Sequence, residues 1–354
     1  MTAANPSHQK RTNGRPGIVA FPRALRAGMG ALEALAPALA ERVAERLFLT
    51  PPRHAPPPWE RTAVNGWEPF AIRAGDALLR GRRSGSGPAV LLVHGWGGRG
   101  SQLAKLAPPL LDAGCSVVAF DGPAHGASSG RMTNMVKFAE AVKAAAGALD
   151  ARAAVGHSFG GSALTYALHK GLSLDAAVLV GSPWTPRNFF DPFCAALGVG
   201  AATRDGLRRR VERRVGIAME DLELPRFAAG LRTPALVVHD RTDAEVPFEA
   251  GAAIASAWPG ARLRLTDGLG HRRILRDAAV IGEIASFVVG RLRRCGCGRL
   301  AVEEAGGAPR CETCLLSVEL ADPEARARRS SLDAAVDAIL ASMERGASAL
   351  LPAR

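Results

Sequence analysis

Ala153-Ala154-Val155-Gly156-His157-Ser158-Phe159-Gly160-Gly161-Ser162-Ala163-Leu164 decides how this chain is read. The mostly apolar run Ala151–Val155 predicts a buried strand, and the residues from Phe159 onward predict a helix. Between them lies Gly156-His157-Ser158-Phe159-Gly160, a G-x-S-x-G turn. Glycines flank the serine because a strand-to-helix turn this tight leaves no room for side chains. The strained turn makes the Ser158 hydroxyl project at the top of a sheet, where it is a candidate nucleophile.

Outward from this turn the chain alternates strand and helix. After Gly85-Ser86-Gly87-Pro88, Ala89–Val93 is wholly apolar, which suits a strand buried on both faces of a parallel sheet. Helix Ser101–Ala113 leads to strand Ser116–Phe120, and helix Asn134–Leu149 leads to strand Ala151–Val155. Helix Phe159–Lys170 leads to strand Ala176–Val180. This rhythm implies right-handed crossovers and a mostly parallel α/β sheet flanked by helices. Glu68–Arg83 reads as a hairpin turning at Gly75-Asp76. The rhythm breaks over Ser182–Leu231 and resumes with strand Ala235–His239, helix Phe248–Ala257, strand Arg262–Leu265 and helix Ile274–Leu292. The break is read as a small helical cap inserted at the carboxyl edge of the sheet, where open α/β sheets bind ligands.

A serine hydroxyl needs a base to take its proton, and the base needs a carboxylate to orient it. Two loops after late predicted strands offer these groups. One is His239-Asp240-Arg241-Thr242-Asp243-Ala244-Glu245-Val246-Pro247, and the other is Gly268-Leu269-Gly270-His271-Arg272. Acyl chemistry also needs donors to a developing oxyanion. Candidates are the Phe159 N–H, just after the serine, and the Trp96 N–H in His94-Gly95-Trp96-Gly97-Gly98, whose glycines free the backbone. His94 and His125, in glycine-rich turns, are read as loop-holding residues. His157 is read as a packing residue and His239 as a brace for the acid loop. Ser162 is read as structural, and His8, His54 and His169 have no functional context.

These motifs together resemble the α/β-hydrolase superfamily. The His-Gly-x-x-Gly loop at His94–Gly98, the Asp121-Gly122-Pro123-Ala124-His125-Gly126-Ala127-Ser128 turn, the G-x-S-x-G, the Val246-Pro247 acid loop and the Gly270-His271 pair follow the family's order. The likeness spans residues 60–292. It implies Ser158 as nucleophile, His271 as general base and then acid, and Asp243 as the orienting acid. Asp243 is preferred to Asp240 because it stands three residues before Val246, where the family's acid sits. Asp240 is read as a hydrogen-bonded loop residue. A serine at 158 argues against the epoxide hydrolases and dehalogenases of this fold, which carry an aspartate there. The implied activity is a serine hydrolase acting on a small-molecule carboxylic ester, thioester or related acyl bond, with no catalytic cofactor. An acyltransferase on the same fold is the alternative. A basic zinc-ribbon binding protein with a degenerate hydrolase domain is a third reading, disfavoured by the intact constellation.

The remaining chain divides into residues 1–58 (a basic tail, an amphipathic helix and a proline-rich connector), the domain 59–294 with its 182–231 insertion, and a tail 295–354. In the first part, Leu32, Leu35, Leu39, Val43 and Leu47 form an apolar stripe at helical spacing. Packing on the main domain is the favoured role, with a membrane surface or a lid as alternatives. Pro37 belongs in a first turn or at a kink. In the insertion, Trp184, Phe189, Phe190 and Phe193 read either as an acyl pocket or as core, and Arg204–Arg214 as a solvated helix face rather than an anion site. In the tail, Cys295-Gly296-Cys297 and Cys311-Glu312-Thr313-Cys314, thirteen residues apart, resemble a four-cysteine structural zinc site. Leu332–Met343 is a candidate helix.

Composition bounds the rest. With 354 residues and 47% hydrophobic content the chain can bury a large core, and 22% charged residues are too few for a disordered composition. The net charge of +12 comes from arginine far more than lysine, beside abundant alanine and glycine. Codon usage in a GC-rich genome produces that bias, so nucleic acid is not inferred. No apolar run reaches the roughly 18 residues of a membrane span. The six cysteines are too few and too uneven for a disulfide scaffold, Cys115 and Cys194 being read as buried apolar residues. The N-terminus lacks the basic-then-apolar order of a secretory signal, and the cysteine usage makes a reducing cytoplasm the expected location.

Overall fold

The structure is a computed structural model, and it describes residues 21–293, 300, 301, 303–305 and 308–310. The chain divides into two compact units, Met1–Leu292 and Arg293–Arg354. The first holds an eight-stranded sheet: β1 (Glu68–Ala74), β2 (Ala77–Ser84), β3 (Ala89–Val93), β4 (Ser116–Asp121), β5 (Ala151–His157), β6 (Ala176–Val180), β7 (Ala235–Asp240) and β8 (Arg262–Thr266). The spatial order is β1-β2-β4-β3-β5-β6-β7-β8. β1 and β2 form the expected hairpin, with Ala74 opposite Ala77 and Gly75 at φ +57° in the two-residue turn. β2 pairs antiparallel with β4, and every later pairing is parallel.

The apolar runs behave as their composition requires. β3, β6 and β7 are buried along their whole length. Leu91, Val93, Val118, Phe120, Ala154, Leu179 and Val237 join one core with α5 (Met135–Ala148), α6 (Phe159–His169) and α10 (Phe248–Ala257). Their buried alternates Leu92, Val117, Val178 and Val238 point to the other face. There α4 (Ala107–Asp112) meets β4, and α12 (Ala278–Val289) meets β6. β8 closes the sheet with exposed Arg262, Leu263 and Arg264, and both arginines reach Glu283.

Three sequence expectations change. The stretch 101–113 is a 3-10 turn, Gly100–Leu106, followed by α4, because Pro108 and Pro109 fit only the opening turn of a new helix. The helix expected from Ile274 starts at Ala278. Asp277 caps it by accepting from the Val280 N–H at 3.0 Å, and the residues before it form α11 (Gly270–Arg273) and a 3-10 turn. The N-terminal stripe is the third. It breaks at Ala36 into α1 (Arg23–Leu35) and α2 (Pro37–Leu49), with Pro37 at the first helical position. Leu35 and Leu39 are 85% and 47% exposed, whereas Leu32, Val43 and Leu47 of the stripe pack, partly buried, beside the buried Met29, Ala40 and Ala44.

The reason lies in the insertion. α7 (Arg187–Leu197), α8 (Ala201–Val215), a 3-10 turn at Met219–Asp221 and α9 (Leu224–Ala228) fill it. Phe190, Phe193, Cys194, Leu197, Leu207 and Val211 pack with Met29, Ala40 and Ala44 in a second core, distinct from the sheet core. Small residues line part of this seam, and a side chain at Gly206 would displace the Glu41 side chain. Glu45 is buried between Arg210 and Arg214, at 2.8 and 2.6 Å. Phe190 and Phe193 are thus core rather than pocket. The other arginines form a solvated, ion-paired face, with Arg204 on Asp191 and Arg208 on Glu212 and Glu220. Burial raises the Cys194 thiol to about 11, consistent with an apolar role.

In the second unit, β9 (Glu303–Ala305) and β10 (Ala308–Arg310) pair antiparallel. Cys295, Cys297, Cys311, Cys314, the helix expected at Leu332–Met343 and the basic tail 1–17 lie outside the described residues. Among the described residues no cluster of His, Cys, Asp or Glu is arranged to hold a metal, and no helix is long and apolar enough to cross a membrane.

Candidate active site

Ser158 stands between β5 and α6 at φ +53°, ψ −124°, a region that L residues rarely occupy. The surrounding glycines are sterically required. A Cβ on Gly156 would lie 2.6 Å from the Gly161 Cα, and one on Gly160 would enter the Val93 and His94 carbonyls at the end of β3. The Ser158 N–H donates to the Val180 carbonyl at 2.8 Å, which ties the turn to the end of β6.

The loops after β3, β4, β7 and β8 all leave the same carboxyl edge as Ser158. His271, on α11, is buried, and its Nδ1 lies 2.7 Å from Asp243 Oδ2. Asp243 accepts at Oδ1 from the Glu245 and Val246 N–H groups at 2.8 and 2.9 Å. Burial alone would raise its carboxyl pKa. The hydrogen bonds from His239, His271 and the Val246 N–H outweigh that and hold it well below the ordinary carboxylate range. Asp243 therefore stays ionised and can only accept, so His271 carries its proton on Nδ1 and offers Nε2. Gly181, at φ +60°, makes room: a Cβ there would sit 3.2 Å from His271 Nδ1.

Asp240 is turned away from His271. Its carboxylate takes the Thr242 N–H and hydroxyl at 2.9 and 2.6 Å, and the Thr266 hydroxyl and Leu269 N–H at 2.7 and 3.0 Å. It thereby ties the ends of β7 and β8 to the histidine loop. Burial opposes its ionisation, but these donors win and hold it below the ordinary range.

The loop after β3 closes the other side of the serine. A Cβ on Gly95 would be 3.1 Å from the Ser158 Cβ. His94 Nδ1 donates to the Gly95 carbonyl at 2.7 Å, while its Nε2 accepts from the Gly122 N–H at 2.9 Å. His125 Nδ1 donates to the Pro123 carbonyl at 2.9 Å and its Nε2 accepts from the Gly97 N–H at 3.0 Å. Burial lowers His94 to about 4 and His125 to about 3, so both are neutral loop holders. In the turn after β4, Asp121 accepts from the Gly100 and Ala127 N–H groups, and the Ser128 hydroxyl donates to the Asp121 carbonyl. Among the described residues the Trp96 and Phe159 N–H groups have no acceptor. The Trp96 and Phe159 rings meet edge to face at 5.2 Å, and Trp96 is 38% exposed.

His157 contributes more than the sequence reading assigned, while His239 braces the acid loop as expected. His157 Nε2 donates to the His271 main-chain carbonyl at 2.9 Å, and its ring lies 4.7 Å from the His271 ring. Burial, then the neighbouring His271, lowers His157 to about 3. His239 Nε2 is shared between the Val246 carbonyl at 3.1 Å and Asp243 Oδ2 at 3.4 Å. Glu245 sits at the rim, 4.0 Å from His271 Nε2 and paired with Arg272 at 2.9 Å. Nothing in the G-H-S-F-G stretch signals the His157 bond, because its acceptor is a carbonyl 114 residues away.

Comparison with known proteins agrees with this architecture. Residues 88–214 match the alpha/beta hydrolase fold family. An uncharacterised protein of Mycobacterium tuberculosis is 30% identical over 234 residues, covering 60% of this chain and 78% of that protein. An esterase from Pyrococcus furiosus superposes with a TM-score of 0.53 at 17% identity, over 69% of this chain and 97% of its own. Est1E from Butyrivibrio proteoclasticus, solved with ferulic acid bound, gives 0.52 at 17% identity, over 63% of this chain and 98% of its own. These likenesses bear out the expected fold.

Proposed function

The chain belongs to the α/β-hydrolase family, and from that premise we propose that it is a serine hydrolase cleaving a carboxylic ester, thioester or related acyl bond through an acyl-Ser158 intermediate. The observation that carries this reading is the 2.7 Å bond from His271 Nδ1 to an ionised Asp243, at the sheet edge where Ser158 is held in its strained turn. His271 Nε2 takes the Ser158 proton as Oγ attacks the acyl carbon. The charge on the carbonyl oxygen is met by the Trp96 and Phe159 N–H groups. The imidazolium, stabilised by Asp243, gives the proton to the departing alkoxide or thiolate. Water, activated in turn by His271 Nε2, attacks the acyl-enzyme and releases the acid and Ser158. No step needs a cofactor.

Residues 59–294 carry this chemistry. The exposed Trp96 ring beside Phe159 suits a small or medium apolar acyl group. The substrate is small, so its specificity is set within the site rather than across an extended surface.

Replacing Ser158 with alanine tests the reading. Labelling by a fluorophosphonate probe and turnover of p-nitrophenyl esters should both vanish in the folded variant. Labelling that survives the change would refute the assignment.

A further inference from the structure

The segment between α2 and β1 makes contacts that the triad does not explain. Pro51–Glu60, ending in α3 (Pro58–Ala63), touches three loops of the site. The first contact is steric. Gly97, next to Trp96, stands at φ +67°, and a Cβ there would lie 3.0 Å from the Pro52 ring. The second is a guanidinium fork. Arg53 donates to the Ala124, Ser128 and Gly130 carbonyls at 3.0, 2.9 and 3.0 Å, in the turn whose His125 accepts from the Gly97 N–H. The third is a buried ion pair. Arg99, which ends the loop after β3, bonds Glu60 Oε2 at 2.9 Å and the His54 carbonyl at 3.0 Å. Ser101 also donates to that carboxylate at 2.7 Å, and the two charged side chains are only 9% and 4% exposed. Trp59 adds a stacked contact to Arg276, just beyond the histidine loop, at 4.6 Å.

We infer that Pro51–Glu60 is a strap that positions the oxyanion loop, with Glu60, Arg99 and Arg53 as positioning residues that hold the Trp96 N–H where the oxyanion develops. The chemistry it serves is the proposed acyl transfer at Ser158, and the inference rests on that reading. A buried ion pair is a poor source of net stability, because desolvation offsets the attraction, yet its geometry is strict. Here it fixes the backbone three residues from Trp96. The Arg53 fork fixes the neighbouring turn, and a lysine cannot reproduce its planar set of donors. An N–H that binds the oxyanion contributes mostly in the transition state, so its displacement lowers kcat more than it raises KM.

The test compares Glu60→Gln and Arg53→Lys with the full wild-type chain. Steady-state turnover of p-nitrophenyl butyrate, the fluorophosphonate labelling rate and hydrogen exchange of the backbone amides are measured. Because Glu60→Gln leaves a buried guanidinium without its charge partner, Arg53→Lys guards against a variant that fails to fold. The expected result is a fall in kcat of about ten- to a hundredfold, the range a displacement near 1 Å produces, with KM within about twofold. Exchange should quicken over residues 94–99 while β7 keeps its protection. A folded variant with wild-type kcat and unchanged exchange over 94–99 would overturn the inference. Wild-type protein that neither takes the probe nor turns over esters would instead defeat the hydrolase reading, and the exchange comparison would still decide whether the strap holds the loop.

Discussion

Replacing Asp243 with asparagine separates the two candidate acids. The wild-type carboxylate faces N–H donors on both oxygens. Oδ1 meets the Glu245 and Val246 amides, and Oδ2 meets His271 Nδ1 at 2.7 Å with His239 Nε2 at 3.4 Å. An asparagine can accept on one side only. Its oxygen will face the two main-chain donors, which cannot turn away, and its NH2 will face His271. The imidazole can then accept only by moving its proton to Nε2, the nitrogen that must receive the serine proton. The negative charge that stabilises the imidazolium is lost as well. The wrong tautomer lowers kcat on the order of ten-thousandfold, a barrier increase of about 5 kcal/mol. Asp240→Asn is the control. Two of its donors are threonine hydroxyls that can rotate, so kcat should stay within about tenfold while stability falls by about 1–3 kcal/mol. Turnover of p-nitrophenyl butyrate, with thermal melting to confirm folding, reads both. Asp243→Asn that keeps a tenth of wild-type kcat, or Asp240→Asn that loses thousands-fold instead, would refute the assignment.

Trp96→Ala leaves the residue-96 N–H in place but removes the ring beside the acyl site. Butyrate esters should lose about fifteenfold in kcat/KM relative to acetate esters, as two methylenes at about 0.8 kcal/mol each imply. Glu45→Gln strands two arginines at the seam between α2 and α8. Because Arg210 and Arg214 keep 24% and 43% of their side chains exposed, the loss in denaturant unfolding is expected to be about 1–2 kcal/mol, with fluorophosphonate labelling at Ser158 retained at 25 °C in the folded fraction. Stability should also fall with acid. His94, His125 and His157 are neutral in the fold down to about 4, 3 and 3, whereas their ordinary value is 6.5. The unfolded chain therefore binds more protons between those values. Stability is complete above the unfolded value and declines as pH drops through this window, at a slope approaching about 4 kcal/mol per pH unit. Urea midpoints measured from pH 7.5 to pH 4.5 check the sign, and a midpoint that rises on acidification would contradict it.

The sheet and the site loops were legible because each rests on local chemistry. Apolar runs such as Ala89–Val93 announce buried strands, and the G-x-S-x-G glycines announce a turn that admits no Cβ. Ser158, Asp243 and His271 follow strand ends, where topology brings them to one edge. What escaped depends on contacts made across the chain. Periodicity found an apolar stripe whose Leu32, Val43 and Leu47 do pack inward, but it also took in the exposed Leu35 and Leu39 and missed the buried Met29, Ala40 and Ala44. The partner surface on α8 demands small side chains there, and nothing near α2 encodes α8. The bond from Glu45 to Arg210 spans 165 residues. Glu60 and Arg99 carry no motif, and His157 looked like packing because its acceptor is a main-chain oxygen, which no residue type betrays. The start of α12 was readable after all, since Asp277 is an ordinary N-cap ahead of an apolar run.

The backbone of Ser158 has a consequence for stability. At φ +53°, ψ −124° any L residue is disfavoured by on the order of 1–3 kcal/mol, while glycine carries no such penalty. Glycine at this position would remove that strain. Position 158 is therefore a point where robustness and reactivity pull in opposite directions. Ser158→Gly is expected to leave the fold no less stable while removing the hydroxyl.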